Sequence, residues 1–333
     1  MISTMAALFA KMAHFGHETK GTDVVAAFPD AVRHGTFVIT EPSKGGLGAA
    51  IALALAEGKP ACLILVGKFQ GDSQPVVDEI NRRFPTVKSL FISADFGNFE
   101  SVRGAAKILK ELGVPIDGII ASETITGLQY EKTDDGIESQ FQVNYLSHFL
   151  LINSLLDTMP KRKATRAVLV ASSIRPDAAV PNFDDYNFSD GKTYHPLEAY
   201  AQSKLANVLF AKSLAKSASS NGIAAFSVNP GNIKTNLQTY LSPELVKSWL
   251  DQRKDAGEEV PLNTQQAPKS LPQGCGTVLR ALLDPSLEDL DSAAGEQCAK
   301  QLWELSERLL IAEVLNFSSQ ILQRGKLHMS VGV

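Results

Sequence analysis

The sequence predicts an α/β protein, a doubly wound parallel sheet in a single domain with a variable C-terminal cap. Three observations predict it. Short apolar runs alternate with longer segments of helical spacing up to about residue 230. The runs are almost continuously hydrophobic, as strands covered on both faces must be. The first run passes through a glycine cluster into an apolar helix, the pattern of a strand-turn-helix that cradles phosphate.

The elements follow in order. Residues 1–35 are a lead-in whose "TDVVAAFPDAV" (22–32) reads as a short helix. The strand candidates are "TFVIT" (36–40), "ACLILVG" (61–67), "SLFISAD" (89–95), "DGIIAS" (117–122), "RAVLVASS" (166–173) and "AAFSVNP" (224–230). Between them lie helices: "LGAAIALALAEG" (47–58) with Gly58 as C-cap, "PVVDEINRRF" (75–84), "ESVRGAAKILKELG" (100–113), "GIESQFQVNYLSHFLLINSLLDTM" (136–159) and "AYAQSKLANVLFAKSLA" (199–215). Strict alternation gives βαβ units with right-handed crossovers, which places ligands at the carboxyl ends of the strands. Residues 36–230 form this core, and 231–333 supply a substrate cap and C-terminal helices, with 236–270 polar and 274–283 and 298–322 helical.

The totals narrow the function class. The 333 residues are 44% hydrophobic and 20% charged, with a formal net charge of -4, so the chain is globular and carries no basic field for nucleic acid or anionic lipid. Cys62, Cys275 and Cys298 lie far apart without metal-ligand spacing and read as buried thiols in a reducing compartment. His14 and His17 have no third ligand near them and read as surface residues, so no metal site is expected. The opening segment has no basic n-region and is interrupted by Lys11, His14 and His17, which predicts neither a secretion signal nor a membrane span. A cytoplasmic protein with a small-molecule partner is expected.

Four polar residues stand where chemistry would be placed. Tyr200 and Lys204 are four apart on a helix and share a face, and an ammonium beside a phenol favours the phenolate. Ser173 ends a strand at the ligand edge, where its hydroxyl can orient a carbonyl. Asn144 sits inside an apolar helix, where a short amide needs a partner, and a water feeding protons to Lys204 is one such partner. Taken singly, each has a plainer reading: a chance Tyr–Lys pair, a helix N-cap, a kinked helix.

In this order, on these elements, they resemble the short-chain dehydrogenase/reductase family, over roughly residues 35–310. The segments "DGIESQFQVNYLSHFLLINSLL" (135–156), "YAQSKLANVLFAKSL" and "LWELSERL" are most similar to its retinol-dehydrogenase-like fungal members. The resemblance implies a Rossmann fold binding NADP(H) or NAD(H), with Asn144, Ser173, Tyr200 and Lys204 matching the catalytic tetrad. It implies that Tyr200 protonates a carbonyl oxygen as hydride arrives, that Lys204 holds the nicotinamide ribose, that Ser173 orients the carbonyl and that Asn144 supports the proton relay. Cofactor contacts carried over are Ser43, Lys44, Gly46, Leu47, Gly48, Asp95, Pro230, Gly231 and Thr235, together with Tyr200 and Lys204 themselves. Lys68 ends the second strand where NAD-preferring members usually carry an acid, and with Lys44 it favours the 2'-phosphate of NADP(H). A homo-dimer or homo-tetramer through the helices of Asn144 and Tyr200 is implied as well.

Two departures stand out. The family's first loop begins Thr-Gly, whereas this chain reads Thr40-Glu41-Pro42-Ser43-Lys44-Gly45-Gly46-Leu47-Gly48; the family's Asn-Asn-Ala-Gly is replaced by Ala121-Ser122-Glu123-Thr124. Two carboxylates thus enter the region of the cofactor's phosphates and ribose. Unit charges about 4 Å apart interact by about 4 kcal/mol at an effective dielectric near 20, roughly a thousandfold in affinity. Glu41 is strained if the turn needs positive φ and unstrained if the turn has ordinary dihedrals. Two functions follow from the residues: NADP(H)-dependent redox chemistry on a hydrophobic small molecule of secondary metabolism, or a cofactor-independent isomerase, cyclase or dehydratase using Tyr200 and Lys204 as an acid/base pair. A non-enzymatic sensor would place no demand on that pair. Phe183, Tyr186, Phe188, Tyr194, Tyr240 and Trp249 in the variable segments point to an apolar or aromatic ligand.

Overall fold

Six apolar runs become six strands: β1 (Thr36–Thr40), β2 (Cys62–Gly67), β3 (Lys88–Ser93), β4 (Gly118–Ala121), β5 (Thr165–Val170) and β6 (Ile223–Val228). They form one parallel sheet in the order β3-β2-β1-β4-β5-β6. The computed structural model describes residues 15–162, 165–172, 183–218, 222–235, 237, 240–255, 257, 267–287 and 298–311. Every residue of β1, β2, β4 and β5 is buried, while the edge strands β3 and β6 are partly exposed. That difference is what helices on both faces of the centre and one open side at each edge produce.

Side-chain alternation along β1 feeds two cores. Ile39, with Leu63 and Leu65 of β2, packs among α1 (Gly21–Ala27), α3 (Leu47–Glu57) and α10 (Leu271–Leu283). Val38, with Ile64, packs among α5 (Phe99–Glu111), α7 (Ser147–Leu155), α8 (Pro196–Ala218) and the helix over 298–311. α2 (Pro29–Val32) completes the lead-in and α4 (Gln70–Arg83) links β2 to β3. α9 (Pro243–Asp255) lies in the cap. Among the described residues no helix is long and apolar enough to cross a membrane. Cys62 and Cys275 are buried, Cys298 half-buried.

Two elements differ from the sequence expectation. α4 begins at Gln70, five residues before the expected start at Pro75, and runs through that proline. A chain of side-chain amide bonds, Gln70 to Gln74 to Asp78, holds the extra turn at 3.0 and 2.8 Å. The single helix expected over 136–159 is divided: α6 (Ser139–Phe141), a π-helical turn (Gln142–Leu146), α7 and a final 3-10 turn (Leu156–Thr158). Glu138 caps its start, accepting from the backbone N–H groups of Gln140 at 2.9 Å and Phe141 at 2.7 Å. The C-terminal helix expected to reach 322 is described as far as 311.

The strand order reverses between β1 and β4, which opens a crevice at their carboxyl ends. Thr40, the last residue of β1, closes the floor of that crevice. Its Oγ1 accepts the backbone N–H groups of Ser122 and Glu123, both at 2.8 Å, and lies 3.0 Å from His148 Nε2. His148 Nδ1 lies 3.1 Å from the Asn144 carbonyl oxygen and must donate to it, so Nε2 is the acceptor for the Thr40 hydroxyl proton. Burial holds this imidazole neutral, its pKa pushed down to about 3. Every hydrogen-bonding capacity of the threonine hydroxyl is used. Thr40→Val leaves two N–H groups and a ring nitrogen unpaired and is expected to cost about 1–3 kcal/mol in chemical denaturation, while Thr40→Ser keeps most of the stability.

Candidate active site

The crevice is a cleft of about 790 Å³ at the carboxyl ends of β1, β4 and β5, within the roughly 300–1,000 Å³ of small-molecule sites. The turn after β1 forms one end. Gly45 has φ 82°, and Glu41 itself has φ 52°, so the turn does require the left-handed region and holds a glutamate in it. Gly46 is the N-cap of α3, and a Cβ on Gly48 would fall 2.2 Å from the Glu41 carbonyl oxygen, a contact no side chain survives. The first glycine is gone but the tight turn remains.

Ser43, Lys44, Gly46 and Leu47 line this end of the cleft, and Pro230, Gly231 and Thr235 line the opposite wall. Gly48 lies buried under the turn. Lys68 and Asp95, expected at the adenosine end, are joined in an ion pair of 2.8 Å and are 54% and 36% exposed. A pair this open contributes about 0–1 kcal/mol. The Lys68 ammonium already faces a carboxylate.

Tyr200 and Lys204 stand on α8, both lining the cleft and both buried. Lys204 Nζ donates to Thr124 Oγ1 at 2.7 Å and to the Val170 carbonyl at 3.0 Å, and lies 5.6 Å from the centre of the Tyr200 ring. Burial draws the Lys204 pKa down to about 7, against the pull of Glu123. Burial likewise raises Tyr200 to about 12, against a hydrogen bond from the Ser172 side chain. The lowered phenol pKa expected from the Tyr–Lys pair is not found: burial raises it instead, and Tyr200 keeps its proton at neutral pH. Ser173 lies outside the described residues; Ser172 beside it is the hydroxyl that reaches the tyrosine.

Asn144 is fully buried in the π-helical turn and does not line the cleft. Its Oδ1 accepts the Ile125 N–H at 2.8 Å, and its Nδ2 donates to the Ile125 carbonyl at 2.9 Å and to Ser203 Oγ at 2.9 Å. Those three bonds tie the side chain to the segment after β4 and to α8. Its backbone carbonyl accepts from Asn207 Nδ2 at 3.0 Å, and Asn207 Nδ2 also reaches the Val170 carbonyl that receives Lys204, at 3.4 Å. Asn144 is thus linked to the lysine through three hydrogen bonds, by way of Asn207 and the Val170 carbonyl.

Sequence reasoning missed Thr124 as the partner of Lys204; the signal was its replacement of the family's glycine in Ala121-Ser122-Glu123-Thr124. Of the aromatic residues expected at the substrate, Tyr240 alone lines the cleft. Phe183 and Trp249 are buried, Trp249 donating to Glu198, while Tyr186 packs on Phe141 and Phe188 on Tyr194. They anchor the segments that frame the site.

At the turn end, Glu123 lines the cleft, yet its Oε2 is enclosed and without a hydrogen-bond partner. Burial first, then the charge and hydrogen bond of Glu41, push its pKa well above the usual carboxylate range, with Asp95 adding and Lys204 opposing. In its protonated form Glu123 would remove one of the two charges that would repel a pyrophosphate. The glycine turn and the Lys204 wall leave room for a dinucleotide, whose phosphates Ser43, Lys44, Gly46 and Leu47 could hold and whose ribose Lys204 could hold. Among the described residues no cluster of ligands for a metal ion occurs.

The profile of the family described as short chain dehydrogenase matches residues 37–245. An oxidoreductase of Fusarium equiseti is 32% identical over 244 residues, covering 65% of this chain and 94% of that protein. Human retinol dehydrogenase 14 is 33% identical over 218 residues, 64% of each chain. Among solved structures, a protein of Mycobacterium paratuberculosis is 26% identical with a TM-score of 0.62, covering 86% of this chain and 96% of that one. L-sorbose reductase of Gluconobacter frateurii, solved with NADPH and L-sorbose, shares the fold at 19% identity and a TM-score of 0.56, covering 77% of this chain and 92% of that one.

The left-handed Glu41 gives a direct test of the turn. Glu41→Gly is expected to be more stable than Glu41→Ala by about 1 kcal/mol in chemical denaturation, because both lose the carboxylate and only glycine relieves the backbone.

Proposed function

The chain belongs to the short-chain dehydrogenase family, and from that premise we propose that it reduces a carbonyl, or oxidises the matching alcohol, on a hydrophobic small molecule with NADP(H). The observation that carries the proposal is the burial of Tyr200 and Lys204 on the wall of one cleft whose other end is the glycine turn. The dinucleotide, when bound, supplies or takes the hydride. Tyr200, protonated at neutral pH, gives its hydroxyl proton to the substrate oxygen. Lys204 in its charged form stabilises the phenolate left behind, and Thr124 and the Val170 carbonyl hold its ammonium in place.

The substrate end of the cleft carries Ile125, Leu128, Ile233, Leu237 and Tyr240, which suits an apolar or aromatic compound. Similarity to a fungal oxidoreductase and to retinol dehydrogenase 14 supports the same chemistry. NADP(H) rather than NAD(H) is supported by Lys44 at the turn and by the absence of an acid at Lys68. A place in secondary metabolism rests on the resemblance to fungal members.

Saturable NADPH binding by fluorescence, with NADPH oxidation on a panel of hydrophobic ketones and aldehydes, checks the proposal. Tyr200→Phe should lose roughly 100- to 10,000-fold in kcat while binding NADPH as before. The rate of reduction should fall as pH rises through about 7, where Lys204 loses its charge. Product formed by the wild type with no nucleotide present would replace this reading with a cofactor-independent acid/base enzyme.

A further inference from the structure

The turn end of the cleft presents an arrangement that the redox chemistry does not use. Glu41 is held at φ 52° and Glu123 follows β4, both lining the cleft, and Glu41 is the neighbouring group that most favours the protonated form of Glu123. Two carboxyls lining one cleft side by side are held more stably when one of them carries a proton. The second oxygen of Glu123 is enclosed without a partner, so an ionised Glu123 would leave a bare buried charge there. Thr40 fixes the Glu123 backbone, and the Glu41 N–H donates to the Val66 carbonyl at 3.0 Å, so both side chains start from anchored backbone.

The charged groups around the pair are few. Asp95 adds negative potential but is paired with Lys68, and Lys204 opposes from the far side while bound to Thr124. Lys44 and Asp72 line the cleft beside the turn, where the Lys44 N–H donates to the Asp72 carbonyl oxygen at 3.1 Å, and His148 under Thr40 is neutral. Lys44 alone cannot offset two carboxylates and a pyrophosphate.

We propose that the Glu41–Glu123 pair makes dinucleotide binding proton-coupled: the pair must carry a proton for the pyrophosphate to seat beside it. The inference rests on the reading of the cleft as a dinucleotide site. Above the pH at which the free protein gives up that proton, binding takes one up again. The pair then ties cofactor affinity to pH, a property that a glycine and an alanine at these positions would not confer.

The test is the dissociation constant of NADPH, measured across neutral and alkaline pH in metal-free buffer, for wild type, Glu123→Gln and Glu41→Gln. In the wild type it should rise with pH towards a limit of about tenfold per pH unit, and calorimetry in buffers of different ionisation enthalpy should show proton uptake. Either glutamine variant should bind more tightly than wild type at alkaline pH, with the ratio to wild type growing with pH; titration of the nucleotide's own phosphate cancels in that ratio. Profiles that run parallel in all the proteins overturn the coupling and leave the dinucleotide site standing. Alkaline binding by the wild type that is restored by Mg²⁺ overturns it in favour of a bridging cation. No binding by any of them at any pH overturns the dinucleotide reading itself, and the coupling falls with it.

Discussion

One threonine hydroxyl ties the site together. Thr40 at the end of β1 accepts two backbone N–H groups from the segment after β4 and donates to His148, which in turn donates to the carbonyl of Asn144. The same carbonyl receives Asn207, which shares the Val170 carbonyl with Lys204. The chain of bonds therefore runs from the floor under Glu123 to the ammonium beside Tyr200. It needs a neutral imidazole in one tautomer, and burial supplies that condition. Strand ends, π-helical turn and catalytic helix are held in one register by groups that never meet the substrate.

That register fixes two opposed electrostatic tasks in a single cleft. At the α8 end, burial keeps the proton on Tyr200 and brings the charge of Lys204 close to its loss at neutral pH. At the turn end, burial favours the protonated form of Glu123 beside Glu41. Desolvation is the first cause at all three groups, and the neighbouring charges only modify it. Taking water from Glu123 and Lys204 alike lowers the charge of both, in a cleft whose sequence carries two acids where the family pattern carries a glycine and an alanine.

Most of the fold was legible in the sequence because parallel strands covered on both faces must be continuously apolar, and the six runs show it. The partial exposure of β3 and β6 was not, since edge position depends on strand order. The early start of α4 was hidden by Pro75, which usually opens a helix rather than lying within one. The π-helical turn leaves no periodic trace, as it is imposed by the side chains that claim its carbonyls. At the site, Tyr200, Lys204, Glu41 and Glu123 could be read from spacing and from departures from the family pattern. The direction of the Tyr200 and Lys204 shifts could not, because spacing gives proximity and not burial. Asn144 was marked by its amide in an apolar helix, but its partners, Ile125 and Ser203, come from elements that only the fold brings near. Thr124 was passed over because a threonine after a strand is unremarkable until a lysine is found to donate to it.

The claim on which the rest stands is that Glu123 is uncharged in the folded protein at neutral pH. An infrared difference spectrum of wild type against Glu123→Gln at neutral pH measures it directly. The account predicts a protonated-carboxyl stretch in the wild type that the variant lacks and that fades as the pH is raised. A difference spectrum showing only carboxylate bands for Glu123 would contradict it.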